Sequence, residues 1–278
     1  MRKQLAGLSG FLIAGAFAVS AWGDEAGTDP AVSNLNISGM VMGGVDDANS
    51  RVLAGVKATF PIGHSFGMQI DGGIANGEYY GIGGHLFWRD PALGLFGVVG
   101  SLESQDGQEL MRIGAEAEIY LGQFTLAGVV GYEDGPRDKG VYGEVLGTYY
   151  PVETLALRAG GELTPELLLG RLAFEWQPLA EEVQAFSIFA TAEYTDADTG
   201  TLLGGVRFHL GEDGVSLMRR ERHEDPAFAI FNILPVGGGA GGAPGQQPPS
   251  QECTPEQQSQ EICFIGEGGE IIFTDNLQ

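Results

Sequence analysis

The sequence predicts an all-β fold, an antiparallel up-and-down transmembrane β-barrel of about 12 strands with a flexible C-terminal extension. Three observations predict it: a repeated period-two alternation, two turn chemistries that take strict turns along the chain, and a secretory N-terminus without a later spanning helix. The alternation is clearest in Arg112-Ile113-Gly114-Ala115-Glu116-Ala117-Glu118-Ile119-Tyr120. Ile113, Ala115, Ala117 and Ile119 share one face, while Arg112, Glu116, Glu118 and Tyr120 share the other, as a two-faced strand requires. A tilted strand of roughly 9–11 residues is long enough to cross a hydrocarbon core.

In chain order the expected strands cover about 35–46, 51–60, 66–76, 79–89, 92–103, 109–121, 123–133, 139–150, 152–163, 167–177, 184–195 and 200–211. The stretch from Leu93 to Leu102 is apolar on both faces, so the pattern alone does not set its register. Such lengths exceed the roughly five or six residues usual for strands of a soluble sandwich.

After even-numbered strands an aromatic residue precedes proline or glycine: Phe60-Pro61-Ile62-Gly63, Trp88-Arg89-Asp90-Pro91, Tyr120-Leu121-Gly122, Tyr149-Tyr150-Pro151 and Trp176-Gln177-Pro178. After odd-numbered strands the turn is acidic, Leu163-Thr164-Pro165-Glu166 being the weak case. An up-and-down sheet puts all odd turns at one end and all even turns at the other. Tyr and Trp favour a membrane–water boundary. The even turns are thus expected to form a periplasmic aromatic girdle. The odd turns are expected to form an outer acidic rim of Asp46, Asp47, Glu78, Asp106, Asp134, Asp196 and Asp198.

The alternation also assigns an interior. Lys57, Asp71, Arg112, Glu116, Glu118, Glu144, Arg158, Glu162, Arg171, Glu175, Glu193 and Arg207 fall on the inward phase as lumen-lining candidates. A wet lumen tolerates charge that a lipid face does not. Neighbouring strands can pair such charges.

The chain divides into a signal peptide at 1–23, the barrel at 34–211, a charged and apolar connecting segment at 212–235, a Gly/Pro/Gln linker at 236–250 and a small tail at 251–278. Arg2 and Lys3 precede the apolar Leu5–Val19 run, with small residues ahead of cleavage positions after Ala21 or Gly23. The connecting segment carries Arg219-Arg220-Glu221-Arg222-His223-Glu224-Asp225. The default expectation is a solvated tether beneath the barrel with the tail in the periplasm; the alternative is a segment folded back into the lumen, its arginines meeting lumen carboxylates. In the tail, Glu261–Ile265 and Glu270–Phe273 flank Gly266–Gly269 as a small hairpin. Cys253 and Cys263 are candidates for a disulfide that closes it.

A net charge of −23 argues against nucleic-acid partners, which need basic patches. No cofactor or metal is expected, because no ligand cluster, P-loop or G-x-S-x-G pattern occurs. His64, His85, His209 and His223 lack a Ser or acid arrangement that spacing can argue for, so catalysis is not expected.

With its signal peptide, paired turn chemistry and strand alternation, the chain resembles bacterial outer-membrane porin-like β-barrel proteins across about 35–211. The resemblance includes no family-specific motif, so no site residue is carried over, and the long C-terminal extension departs from the pattern. It implies an outer-membrane location, outer-membrane lipid and the barrel-assembly machinery as partners, and passive passage of small hydrophilic solutes or cations. Two other readings stand beside it: a structural or surface-anchoring barrel with a closed lumen, and a membrane-embedded hydrolase. An oligomer is compatible with the sequence, and nothing in it requires one.

Overall fold

A computed structural model describes residues 29–46, 49–135, 138–178, 186–210 and 215–231, together with two short strands at 263–265 and 271–273. Twelve strands form the wall: β1 (Asn36–Asp46), β2 (Asn49–Ile62), β3 (Phe66–Ala75), β4 (Tyr79–Asp90), β5 (Gly94–Gln105), β6 (Gln108–Leu121), β7 (Phe124–Asp134), β8 (Lys139–Val152), β9 (Leu155–Leu163), β10 (Leu168–Trp176), β11 (Phe186–Thr195) and β12 (Gly200–Leu210). Each pairs antiparallel with its neighbour. β1 then pairs with β12, from Ile37 opposite Leu210 to Asp46 opposite Thr201, and closes the barrel. Closure leaves no strand edge with unpaired N–H and C=O groups, which lipid could not satisfy.

The two faces separate by residue parity. Val41, Ile74, Ile82, Ile113, Val130, Val145, Leu172 and Leu202 stand exposed on the outside, whereas Lys57, Asp71, Arg112 and Glu175 on the other phase are buried. A continuous exposed apolar belt around a charged interior suits lipid outside and polar matter within. Among the described residues no helix is long and apolar enough to cross a membrane. The ambiguous β5 takes the register that turns Phe96, Val98 and Leu102 outward and Ser101 and Glu103 inward. Leu95 also points inward, where it packs with Phe87 and Val32.

The even-turn end carries outward Phe66, Phe124, Tyr149, Trp176 and Phe208. Two aromatics expected in that girdle do otherwise. Tyr120 and Tyr150 lie on the inward phase and are buried. The opposite end has outward Tyr80, Tyr132 and Tyr194, so aromatics mark both boundaries. At that end Asp106-Gly107 forms a two-residue loop with both φ positive, 50° and 76°, a combination that Asp-Gly adopts readily.

Residues before β1 and after β12 both belong to the aromatic-turn end. There Ala31 N–H donates to His64 O at 2.7 Å, and Val32 is buried. After β12 comes α1 (Leu217–His223), with Ser216 as its N-cap. It is followed by an irregular stretch to Phe231. The sequence favoured a tether outside the barrel. Instead, 215–231 folds back into the lumen, because its polar groups find partners on the inner wall. Two further strands, β13 (Cys263–Ile265) and β14 (Ile271–Phe273), pair antiparallel as a separate two-stranded sheet. The expected signal peptide, and Cys253 of the expected Cys253–Cys263 bridge, lie outside the described residues.

Candidate functional site in the barrel lumen

The lumen has two unlike walls. Along β1–β4 the side chains bind the backbone and acids of the inserted segment. Asp225 accepts from Ser38 Oγ at 2.8 Å and from Thr59 Oγ1 at 3.1 Å. Lys57 Nζ donates to the Pro226 carbonyl and lies 4.0 Å from Asp225. Gln69 Nε2 donates to Ala227 O at 2.9 Å and to Asp71 Oδ1 at 2.8 Å, while Asp71 Oδ2 accepts from Ala229 N–H at 2.7 Å. Phe231 N–H donates to the Tyr79 hydroxyl at 2.9 Å, which itself donates to Glu103 at 3.0 Å. Glycines let the segment approach this closely. A Cβ at Gly73 would lie 2.5 Å from the Phe231 ring, and one at Gly83 would lie 3.0 Å from Ala229 Cβ.

At the aromatic-turn end, Arg222 donates to Thr125 Oγ1 at 3.1 Å and to the Gly122 and Phe124 carbonyls at 2.8 Å. Its guanidinium also lies over Tyr120 and Tyr150, 5.2 and 5.4 Å from the ring centroids. The inward turn of these two tyrosines thus gives the segment a seat. Glu221 accepts from Tyr150 OH at 2.6 Å and pairs with Arg158. Glu224 accepts from Asn36. So the acids of the charge run meet wall cations and donors, while Arg222 meets carbonyls and aromatic rings. That reverses the expected pairing of tail arginines with lumen carboxylates.

Across β5–β12 most wall charges bind one another, Arg158 also meeting Glu221 of the segment. Arg112 lies 2.7 Å from both Glu133 and Glu162 and stacks over Tyr142. Arg171 bridges Glu144 at 2.7 Å and Glu193 at 2.6 Å. Glu175 is shared by Arg207 at 2.7 Å and Arg158 at 3.3 Å. At the seam of the two walls, His85 on β4 lies with Nδ1 2.9 Å from Glu116 and Nε2 3.7 Å from Asp71. Glu118 accepts from Tyr120 OH at 2.9 Å. Between this wall and the segment remains a cavity of about 320 Å³, lined in part by Glu144, Arg158, Arg171, Glu193, Arg207 and Phe228.

All the lumen-lining candidates face inward. Lys57, Asp71, Arg112, Glu116, Glu162 and Glu175 are buried; Glu118, Glu144, Arg158, Arg171, Glu193 and Arg207 are half-buried. They divide between the two walls: Lys57 and Asp71 hold the segment, and most of the others pair across strands. At the rim, Glu78, Asp106, Asp134, Asp196 and Asp198 are exposed. Asp46 is a correction. As the last residue of β1 on the inward phase it is only 2% exposed and pairs with Arg51, so it offers no free rim charge. Asp47 lies outside the described residues. Some rim acids also have local work. Asp196 Oδ1 accepts from Leu168 N–H at 3.0 Å, and Asp198 accepts from Tyr194 OH at 2.8 Å, which ties the turns to the wall.

Spacing did not reveal one cluster. His209 stands between Ser38 and Ser187, with Nδ1 3.2 Å and Nε2 3.5 Å from the two hydroxyls. Only closure of the barrel brings it together, since Ser38 and His209 are register partners across β1 and β12. The hydroxyls donate to Asp225 and Glu175 rather than to the imidazole, and both serines are at most 1% exposed. A nucleophilic serine needs a base that takes its proton and a path for substrate. Neither hydroxyl here is open to a substrate, and the cluster braces the wall. Among the described residues no group of three or more His, Cys, Asp or Glu side chains is placed to hold a metal ion.

No family model matches the chain, and no curated protein matches it. Among solved structures it is similar to the KdgM porin in complex with disordered oligogalacturonate, at TM-score 0.50 and 10% identity, covering 63% of this chain and 99% of that one. A second KdgM porin structure gives the same values. The NanC porin follows at TM-score 0.49 and 10% identity, covering 63% of this chain and 100% of that one. At such identity the likeness establishes the fold: the chain is a closed 12-stranded barrel of the kind found in outer-membrane porins.

Proposed function

We propose that this protein is an outer-membrane, porin-like barrel that passes small hydrophilic solutes or ions through the space left beside its own inserted segment. The observation that carries this reading is the cavity of about 320 Å³ along a charged wall, lined by Arg158, Arg171, Glu144 and Glu193 among others. A hydrated, charge-lined path lowers the barrier to crossing, and its charges bias selectivity. Each of these arginines is already held by one or two carboxylates, and the mouth bears the exposed Glu78, Asp106, Asp134 and Asp198. That balance favours cations and neutral polar solutes over polyanions such as the oligogalacturonate bound in the KdgM structure. In this reading the acidic turns face outward, the aromatic turns face the periplasm, and the barrel-assembly machinery inserts the chain.

A second reading, a surface anchor with a closed lumen, is favoured by how fully the segment is bound along β1–β4. Single-channel recording in a planar bilayer separates the two. Small steps from the full chain, and larger ones from a chain ending at Gly211, are the porin result. A silent full chain with a conducting shortened one is the anchor result. No steps from either folded protein overturns conduction altogether.

A further inference from the structure

The inserted segment has a direction. It starts at the aromatic-turn end, where the Gln177 side chain donates to Val215 O at 3.2 Å and Met218 N–H donates to Glu153 O at 2.9 Å. Its contacts then climb the wall. Asp225 meets Ser38 and Thr59, Ala227 meets Gln69, Ala229 meets Asp71, and Phe231 meets Tyr79, the first residue of β4 after the acidic turn. Seven residue steps from Glu224 to Phe231 can reach at most roughly 23 Å at about 3.3 Å per residue. That is close to the height of a barrel's apolar band, about 25 Å. Phe231 ends against an apolar cluster that includes Tyr79, Leu110 and Ala75, all within three residues of an acidic turn.

We infer that the chain threads the barrel, so that residues 232–278 leave through the acidic-turn mouth and are presented on the side opposite the one where the segment entered. The cavity of about 320 Å³ beside the segment is far too small to take back the 47 residues from 232 to 278. Their composition suits the route. From Asn232 to Gln251 there is no charged residue, and Gly237–Gly245 is almost entirely Gly and Ala, slim enough for a narrow mouth. From Glu252 onward the chain carries only acids, so an acidic rim repels it outward rather than holding it. This inference departs from the sequence-based expectation of a periplasmic tail. The inference rests on the membrane-barrel reading and does not depend on conduction.

The test uses three single-tag versions of the full chain in the outer membrane of intact cells. One tag follows Ala197 in the β11–β12 turn, one lies in the β10–β11 connection between Leu179 and Ala185, and one follows Gln278. The expected result is that the Gln278 tag labels on intact cells together with the Ala197 tag, while the β10–β11 tag gives no signal until the cells are permeabilised. A Gln278 tag that behaves like the β10–β11 tag overturns the inference. If the Gln278 and Ala197 tags are both hidden and the β10–β11 tag is accessible, threading stands and only the proposed orientation falls. Should an insertion prevent folding, an impermeant maleimide on reduced Cys253 and Cys263 of the unmodified chain is compared with Ala197→Cys in a Cys253→Ser/Cys263→Ser background. Matching accessibility supports threading, and opposite accessibility overturns it.

Discussion

The wall of β1–β4 and the wall of β5–β12 are built from the same residue types and do different things with them. On the first, Lys57, Gln69 and Asp71 reach inward to carbonyls and amides of another segment. On the second, Arg112, Arg171 and Arg207 turn sideways to carboxylates one to three strands away. The difference teaches that a charged lumen does not by itself mean an open one. Side chains that bind the chain's own backbone fill the pore, whereas side chains that bind each other leave a path beside them. Changes on the first wall should therefore free the segment, and changes on the second should alter what passes.

The largest expected effect comes from removing the segment. Ending the chain at Gly211 should raise single-channel conductance several-fold, measured in the same lipid and salt as the full chain. Next is Lys57→Met, which leaves Asp225 buried without its cation. Breaking one side of such a buried pair costs about 3–5 kcal/mol. The expected outcome is frequent full openings in bilayer records and faster proteolysis within 215–231, with the barrel intact by heat-modified gel mobility. On the second wall, Arg171→Gln leaves Glu144 and Glu193 unpaired in a half-solvated site. A loss of about 1–2 kcal/mol is expected there, smaller than for a fully buried pair. Reversal potentials in a salt gradient should move toward cations, and the segment should stay in place. The smallest effect belongs to the rim. Asp134→Asn with Asp198→Asn should change stability by no more than about 0.5 kcal/mol. It should lower cation conductance only at low salt, where screening is weak.

Much of the barrel was legible because a period of two is a strong local signal. Ile113 outside and Arg112 inside follow from parity alone, as does the inward set from Lys57 to Arg207. Parity also corrects the places where turn chemistry misled. Tyr120, Tyr150 and Asp46 sit near turns but on the inward phase, and the interior claims them. The inserted segment was less legible. Its seven-residue helix and the irregular stretch after it have no period to read. From Pro226 to Phe231 it is held through its own backbone groups, such as Pro226 O by Lys57 and Ala229 N–H by Asp71, and a backbone group leaves no mark in a sequence. The charge run at 219–225 was the one visible trace. The Ser38–His209 contact needed the first and last strands to be joined.

The central claim is that residues 224–231 lie in the lumen against β1–β4, and a cross-link tests it most directly. Gly83→Cys and Ala229→Cys place two thiols where a Cβ at 83 would lie 3.0 Å from that of 229, inside the usual Cβ separation for a disulfide, about 3.5–4.5 Å, so the segment must ease back by roughly half an ångström for the bond to form. In a Cys253→Ser/Cys263→Ser background, mild oxidation should join this pair in most molecules, give a faster non-reduced band and lock conductance at its low level. Ala229→Cys paired instead with Ala173→Cys on the opposite wall should stay unlinked. Equal linking of both pairs, or none at position 83 in a folded barrel, would contradict the account.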